Sequence, residues 1–167
     1  MPEVVNKIDQ LLKPLSPGDY VGAYMDNKVQ FYNLLEWVLN QTGKARVTVI
    51  TFSLSEEFIR KVLKLRQSGL IESISLVMDL KAVQKTQKLI RFSENVFDRV
   101  SYCKVHAKVI LIESDIYHVS ISGSQNATRT SRTESTIVST LPEIFFPFKA
   151  AVEKFKTMTY ELHTQAD

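Results

Sequence analysis

The chain has 167 residues and a mass of 19.1 kDa, a size that predicts one compact domain spanning residues 1–167. Hydrophobic residues make up 44% and charged residues 23% of the sequence, which excludes the disordered, collagen-like and disulfide-rich classes. The formal net charge of +3 permits a polyanionic partner without requiring one.

The sequence also argues against membrane-spanning, secreted and metal-binding proteins. Its longest apolar stretches, such as 47–54, are interrupted by Thr or Ser and fall short of the ~18 residues that a membrane-spanning helix needs. The N-terminal segment is acidic and broken in its apolar pattern, unlike a secretory signal, so we expect a cytoplasmic protein. A single cysteine, Cys103, and three scattered histidines make a metal site unexpected, and no cofactor is expected either.

Helix-like and strand-like patterns alternate from the N-terminus onwards. The apolar spacing predicts helices over 4–12, 31–43, 58–69 and 81–92, and strands over 19–25, 46–52, 71–78 and 100–105. Ser53 and Glu56 have capping-box spacing, which predicts that the third helix starts directly after a strand. This alternation predicts an α/β fold with a mixed, mostly parallel sheet flanked by helices on both faces. Its functional crevice is expected at the carboxyl ends of strands, near Ser53, Asp79 and His106.

The pattern changes in the C-terminal part of the chain. Three strand-like segments follow one another over 105–113, 116–122 and 134–140, and they predict a β-meander. A long helix over 143–163 is then expected to close the domain, with Pro147 near its start.

Residues 105–135 carry the most informative polar pattern. His106 and Lys108 are two apart on a predicted strand, so their side chains should leave the same face and converge on one ligand. An imidazole beside an ammonium suits a phosphate. The following Gly123-Ser124-Gln125-Asn126 predicts a turn in which the glycine permits close backbone approach and polar donors face anionic oxygens.

Together these residues resemble the half-site motif of the phospholipase D superfamily, which is His-x-Lys, four residues, Asp, and then Gly-Ser-x-Asn. Glu113 stands where the family has Asp, and Asp115 would take that place if the strand register slipped; whichever residue it is, its role is interpreted as structural. The chain is also similar in length to the small nucleases of this superfamily that carry one half-site per chain. Since only one His-x-Lys occurs here, the resemblance implies a homodimer that completes one site from two subunits.

The resemblance implies a mechanism without metal. His106 of one subunit attacks phosphorus to form a phosphohistidine, the partner subunit's His106 protonates the leaving oxygen, and water resolves the intermediate. Lys108, Asn126 and Ser124 would hold the non-bridging oxygens. Glu134 matches the acidic residue that follows the family motif and would accept a hydrogen bond from Nδ1 of His106.

Further basic residues extend the phosphate-binding hypothesis. Arg129 and Arg132 follow the motif and are interpreted as contacts to neighbouring phosphates. Four more cations fall near one face of the predicted helix over 81–92, where a solvated face is slightly favoured over a nucleic-acid groove: Lys81, Lys85, Lys88 and Arg91.

The leading hypothesis is a phosphodiesterase, and a nuclease acting on DNA is favoured because the chain is small, mildly basic and without a membrane-binding appendage. A phospholipid phosphodiesterase stays open. So does a non-catalytic module that holds nucleic acid in the same pocket, since Glu113 and the long hairpin depart from the family pattern. Ser124 and Asn126 would also suit a simple capping role.

Overall fold

The computed structural model describes residues 2–83 and 87–157. The elements, in chain order, are α1 (Pro2–Leu11), β1 (Val21–Asp26), α2 (Phe31–Thr42), β2 (Ala45–Thr51), α3 (Glu56–Gln67), β3 (Ile71–Asp79), α4 (Leu80–Val83), α5 (Gln87–Val96), β4 (Arg99–Cys103), β5 (Val109–Glu113), β6 (His118–Gly123), β7 (Glu134–Ser139) and α6 (Pro142–Thr157). No helix in these described ranges is long and apolar enough to cross a membrane.

The strands form one seven-stranded sheet in the order β1-β7-β6-β5-β2-β3-β4. The expected mixed sheet flanked by helices is confirmed. The sheet was also expected to be mostly parallel, and that part of the prediction is wrong. Among the six pairings of the described strands, β2–β3 and β3–β4 are parallel and the other four are antiparallel. The reason is the connections: a crossover helix links β2 to β3 and β3 to β4, whereas β5, β6 and β7 follow one another without one.

Apolar side chains pack on both faces of the sheet. Helix α6 covers one face through Phe145 and Val152, which lie against Ile50, Val77 and Leu111. The other face is covered by α1, α2, α3 and α5, and its fully buried side chains include Phe31, Leu34, Ile59, Leu76 and Ile110. The helices on the two faces hold the sheet rigid, and the polar motif residues lie where its strands end.

The start of α3 differs from its prediction. Ser55, not Ser53, is the N-cap, and its hydroxyl accepts a hydrogen bond from the amide of Phe58 at 3.2 Å. The helix begins later because Leu54 is still extended and forms a β-bridge with Ala127. This bridge ties the end of β2 to the segment that follows Gly123.

Two predicted helices are only partly described. The segment predicted as one helix over 81–92 contains α4 and α5, with residues 84–86, and therefore Lys85, outside the described residues. Lys81, Lys88 and Arg91 are exposed, but they are divided between the two helices. The C-terminal helix is described as far as Thr157, so the expectation for 158–163 lies outside the described residues.

Candidate active site

The motif residues lie where the inner strands of the sheet end, beside the carboxyl end of β2, and we call this side of the sheet the motif edge. Strand β5 runs antiparallel to β2, with Val109 opposite Ile50, so the start of β5 lies beside the carboxyl end of β2. Val109 also pairs with Ser122 near the end of β6, and Gly123 pairs with Thr136 near the start of β7. The sequence segments before β5, after β6 and at the start of β7 therefore meet at this edge.

His106 and Lys108 do not lie on a strand as expected, because β4 ends at Cys103 and β5 begins at Val109. Their side chains nevertheless converge. Nζ of Lys108 lies 3.1 Å from Nδ1 of His106 and donates to the His106 carbonyl oxygen at 2.8 Å. A protonated lysine has donors only, so Nδ1 is the acceptor and a neutral His106 carries its proton on Nε2.

Asp79 fixes the backbone immediately before His106. Its carboxylate is buried at the end of β3 and accepts hydrogen bonds from the amides of Val105 at 2.9 Å and Lys81 at 2.8 Å. The sequence placed Asp79 at a strand end near the expected functional crevice. The structure shows that it caps α4 through the amide of Lys81 and holds the His106 segment through the amide of Val105.

Gly123 joins the two halves of the motif. Its amide donates to the carbonyl oxygen of Lys108 at 3.3 Å, and the next amide, that of Ser124, donates to the carbonyl oxygen of Ser135 at 3.1 Å. A Cβ on Gly123 would lie 2.1 Å from that same Ser135 oxygen, far inside van der Waals contact. Only glycine therefore allows the backbone to approach this closely.

Asn126 is held by the end of β2. The Thr51 hydroxyl is fully buried, accepts a hydrogen bond from the amide of Ala127 at 3.0 Å and lies 3.4 Å from Oδ1 of Asn126. The neighbouring Phe52 is half-buried, with its ring centroid 5.3 Å from that of His106. The consecutive residues Thr51 and Phe52 thus contact one residue in each half of the motif, Asn126 and His106 respectively. Sequence reasoning missed Thr51, because a threonine in a β-branched strand gives no functional signal.

The segment after Asn126 is fixed by side-chain amides that the sequence did not single out. Gln30 donates through Nε2 to the carbonyl oxygen of Thr130 at 3.0 Å, and its Oε1 accepts from the Thr130 amide at 2.9 Å. Gln125 is buried and donates to the carbonyl oxygen of Val29 at 3.3 Å. Arg129 and Arg132 are exposed on this anchored segment, beside the motif.

Glu134 lies at the same edge, but in this structure its partners are hydroxyl groups. It accepts hydrogen bonds from Ser124 and, at 3.3 Å, from Thr130. Nδ1 of His106 contacts Lys108 instead, so no hydrogen bond joins Glu134 to His106 within the described part of the chain. The orienting role of Glu134 stays a prediction.

Comparison of the whole chain with known proteins identifies its fold. It matches no family model and no curated protein sequence. Its structure is similar to polyphosphate kinase from Porphyromonas gingivalis, with a TM-score of 0.63 and 17% identity over 86% of this chain and 27% of the kinase. It is similar to NucT from Helicobacter pylori, with a TM-score of 0.61 and 13% identity over 81% of this chain and 96% of NucT. Both are members of the phospholipase D superfamily. The chain has the phospholipase D-like fold.

A third similar structure is a DNA-binding protein. TrmBL2, an archaeal chromatin protein with a novel mode of DNA binding, is similar with a TM-score of 0.58 and 9% identity over 96% of this chain and 61% of TrmBL2. Phosphoryl-transfer enzymes and a DNA-binding protein thus share this phospholipase D-like fold.

Glu113 lies at the opposite end of the sheet from His106, separated from it by the length of β5, about 17 Å. Its carboxylate contacts Lys149 at 2.7 Å, Arg46 at 3.4 Å and His118 at 3.8 Å. Burial acts to raise the pKa of Glu113, but the hydrogen bond and charge of Lys149, with smaller contributions from Arg46 and His118, hold it below its ordinary value. Asp115 is exposed in the turn that follows β5.

Through Lys149, the ionic contacts of Glu113 connect α6 to β5 of the sheet. They support the structural role expected for the motif acid and give Glu113 no contact with the motif residues at the other edge. Within the described residues, no group of three or more His, Cys, Asp or Glu side chains is arranged to hold a metal ion.

Proposed function

We propose that this protein is a phosphodiesterase that cleaves nucleic acid, with DNA favoured, through a phosphohistidine on His106. The observation that carries the proposal is the contact of Lys108 with His106 at the edge where Gly123 brings the second half of the motif against Lys108. An exposed imidazole beside an ammonium and a cluster of polar donors is suited to a phosphodiester group. A metal is not required for such a reaction.

The resting arrangement suits a histidine that acts as an acid, because its proton is on Nε2. Attack by Nε2 requires the other tautomer, with the proton on Nδ1. A bound phosphate draws the Lys108 ammonium to its non-bridging oxygens, which frees Nδ1 of His106. Glu134 is the carboxylate at this edge that is available to accept from Nδ1–H once its hydroxyl partners are released.

In the proposed reaction, Nε2 of His106 forms a bond to phosphorus while the bond from phosphorus to the leaving oxygen breaks. The partner subunit's His106 gives its proton to that oxygen. Water then attacks the phosphohistidine, the partner subunit's His106 takes a proton from the water, and the bond between phosphorus and nitrogen breaks. Lys108, Asn126 and Ser124 stabilise the charge on the non-bridging oxygens in both steps.

Nucleic acid is the favoured substrate because two exposed arginines lie on the segment that follows Asn126. Arg129 and Arg132 lie on the segment anchored by Gln30, where their guanidinium groups can follow a phosphate backbone away from the reacting group. The sequence pI of about 8.9 favours a polyanion. The similarity to NucT nuclease over 96% of its length also supports a nuclease of this size.

The deciding experiment is cleavage of labelled single-stranded and double-stranded DNA in EDTA by the natural protein and by His106→Ala. We expect cleavage by the natural protein and none by the variant. His118→Ala is a matched control, because His118 packs against Phe145 and Phe146 at the other end of the sheet. Release of head groups from phospholipid vesicles without any cleavage of DNA or RNA would shift the substrate to lipids.

A second candidate function is a non-catalytic DNA-binding module. The absence of a Glu134–His106 contact in the described structure favours it, and so does the similarity to the DNA-binding protein TrmBL2. This function predicts DNA binding without cleavage, with or without added divalent metal, and a His106→Ala variant that is altered at most in affinity.

A further inference from the structure

Phe52 is a phenylalanine that belongs to neither apolar core of the described structure. Of the nine phenylalanines in the chain, seven lie in a core or pack against one: Phe31, Phe58, Phe92, Phe97, Phe145, Phe148 and Phe155. Phe146 contacts the core residue Phe145 edge-on, with 5.4 Å between ring centroids. The aromatic contact of Phe52 within the described residues is instead with the imidazole of His106. Core packing therefore does not explain a phenylalanine at position 52.

The ring of Phe52 lies at the motif edge, beside the group that we assign to attack phosphorus. Ile50 pairs with Val109 in the antiparallel register of β2 and β5, so Phe52, two residues further along, falls beside segment 106–108. The planes of the phenyl and imidazole rings are inclined by 53°. The imidazole thus does not stack face to face on the phenyl ring. Because Phe52 is only half-buried, part of its side chain is open to a molecule bound at His106.

We propose that Phe52 is a specificity-determining residue that stacks on the nucleobase next to the phosphate under attack. This inference rests on the proposed function, because it names the part of a nucleic acid that the same site recognises. The groups assigned to the non-bridging oxygens, Lys108, Asn126 and Ser124, would serve any phosphodiester. An aromatic ring beside them favours a phosphodiester that carries a planar base, since every base has a π-face on which a phenyl ring can stack.

The surroundings of Phe52 suit a base better than an acyl chain. The binding of an acyl chain grows with the apolar area that it buries. Phe52 offers one ring between the polar residues Thr51 and Ser53, with His106 beside it. A base can stack on a single ring and keep its polar edge in water.

The test compares a labelled oligonucleotide with one of the same length in which every nucleotide is abasic. Both substrates have the same phosphate backbone, so only the contacts to bases differ. Cleavage in EDTA gives kcat and KM for the natural protein and for Phe52→Leu, which keeps an apolar contact with His106 but has no ring face. Phe52→Tyr keeps the ring. Phe146→Leu is the matched control, because Phe146 is an exposed phenylalanine that contacts a histidine, His118, at the other end of the sheet.

We expect the natural protein to have a KM about 5- to 100-fold lower for the oligonucleotide with bases, as for one stacked base. Phe52→Leu should raise that KM towards the abasic value. It should leave the KM of the abasic substrate and both kcat values unchanged, because an interaction of equal strength in the ground and transition states affects KM alone. Phe52→Tyr and Phe146→Leu should retain the natural preference for bases.

A natural protein with the same KM for both substrates would overturn the inference and leave the proposed function standing. An equal fall in kcat on both substrates in Phe52→Leu would overturn it too, because Phe52 would then only position His106 by packing.

Binding to both oligonucleotides without cleavage would contradict the proposed nuclease and still test the base contact. Fluorescence anisotropy then gives the two affinities: a preference for bases that Phe52→Leu removes supports the stack, and equal affinities of the natural protein overturn it. Cleavage of phospholipid with no affinity for either oligonucleotide would contradict both the nuclease and the base contact.

Discussion

The main-chain amide of Gly123 donates a hydrogen bond to the carbonyl oxygen of Lys108 at 3.3 Å. This bond continues the pairing of β5 with β6 beyond Val109 and Ser122. It places the residue after Gly123, Ser124, beside the lysine that contacts His106. Two short motifs that are separate in the sequence become one site through this contact.

On its other side, Gly123 lies so close to the backbone of Ser135 that it should tolerate no side chain. We expect Gly123→Ala to lower the free energy of unfolding by about 3 kcal/mol or more, because the new methyl group would meet the backbone of Ser135. Urea denaturation measures this change. Gly69→Ala is the control: Gly69 has a φ of 82° at the end of α3 but open space around it, so only the backbone cost of about 1–2 kcal/mol is expected. Equal losses at the two positions would contradict the packing argument.

Lys108 should contribute to the reaction more than to folding. Lys108→Ala removes the ammonium that contacts Nδ1 of His106 and that we assign to the non-bridging oxygens, and kcat should fall about 100- to 1000-fold. The matched control is Lys104→Ala, an exposed lysine just before the same segment. Steady-state cleavage of a labelled oligonucleotide measures both variants. Equal activity of the two would show that Lys108 is only a solvated side chain.

Asp79 should act as a positioning residue for His106. Asp79→Ala removes the acceptor of the Val105 amide, and the resulting displacement of His106 should lower kcat about 10- to 100-fold with little change in KM.

Asp98→Ala provides the comparison for Asp79. Asp98 also accepts from a backbone amide, that of Ile74 at 2.8 Å, but it lies at the opposite end of β3. Both variants should lose about 1–3 kcal/mol of stability, and only Asp79→Ala should lose activity. A parallel fall in kcat for both variants would reduce Asp79 to a structural role.

Glu113 should make stability depend on pH without taking part in the reaction. Its pKa is below the ordinary value of 4.5 in the folded protein, so its stabilisation is fully present above that value and is lost as pH falls through the folded pKa. Glu113→Gln should lower stability at pH 7 by about 2 kcal/mol and should flatten the decline on acidification.

Urea unfolding at a series of pH values from 7 down to 3 measures how the free energy of unfolding depends on Glu113. Glu56→Gln, which breaks the exposed pair with Arg60, should change stability by less than about 0.5 kcal/mol. A Glu113→Gln variant with the natural pH profile would contradict the ionic contacts as the cause.

Local patterns in the sequence predicted much of this fold. Apolar periodicity located the helices and strands, and the spacing of His106 and Lys108 indicated their convergence, although both precede the strand. The partners of Glu113 were not predictable, because Lys149 and Arg46 reach it only through the packing of α6 and the pairing of β2 with β5. Pairing direction was equally hidden, since parallel and antiparallel strands of a buried sheet have similar apolar runs.

The roles of Thr51 and Gln30 show the same limit at the site. Each holds a residue of the motif segment that lies far away in sequence, Asn126 or Thr130, and neither belongs to a motif. The exposure of Met25 and Ile137 also follows from tertiary packing, which no local pattern shows.

The phosphohistidine on His106 can be tested by trapping the covalent intermediate. The natural protein is mixed with an oligonucleotide in EDTA, quenched at alkaline pH, where phosphohistidine survives, and digested for mass spectrometry. We expect a nucleotide or phosphate adduct on the peptide that contains His106, and no adduct in the His106→Ala variant. Cleavage that proceeds without an adduct and is unchanged in the variant would contradict a phosphohistidine mechanism, as would DNA that is bound and left intact.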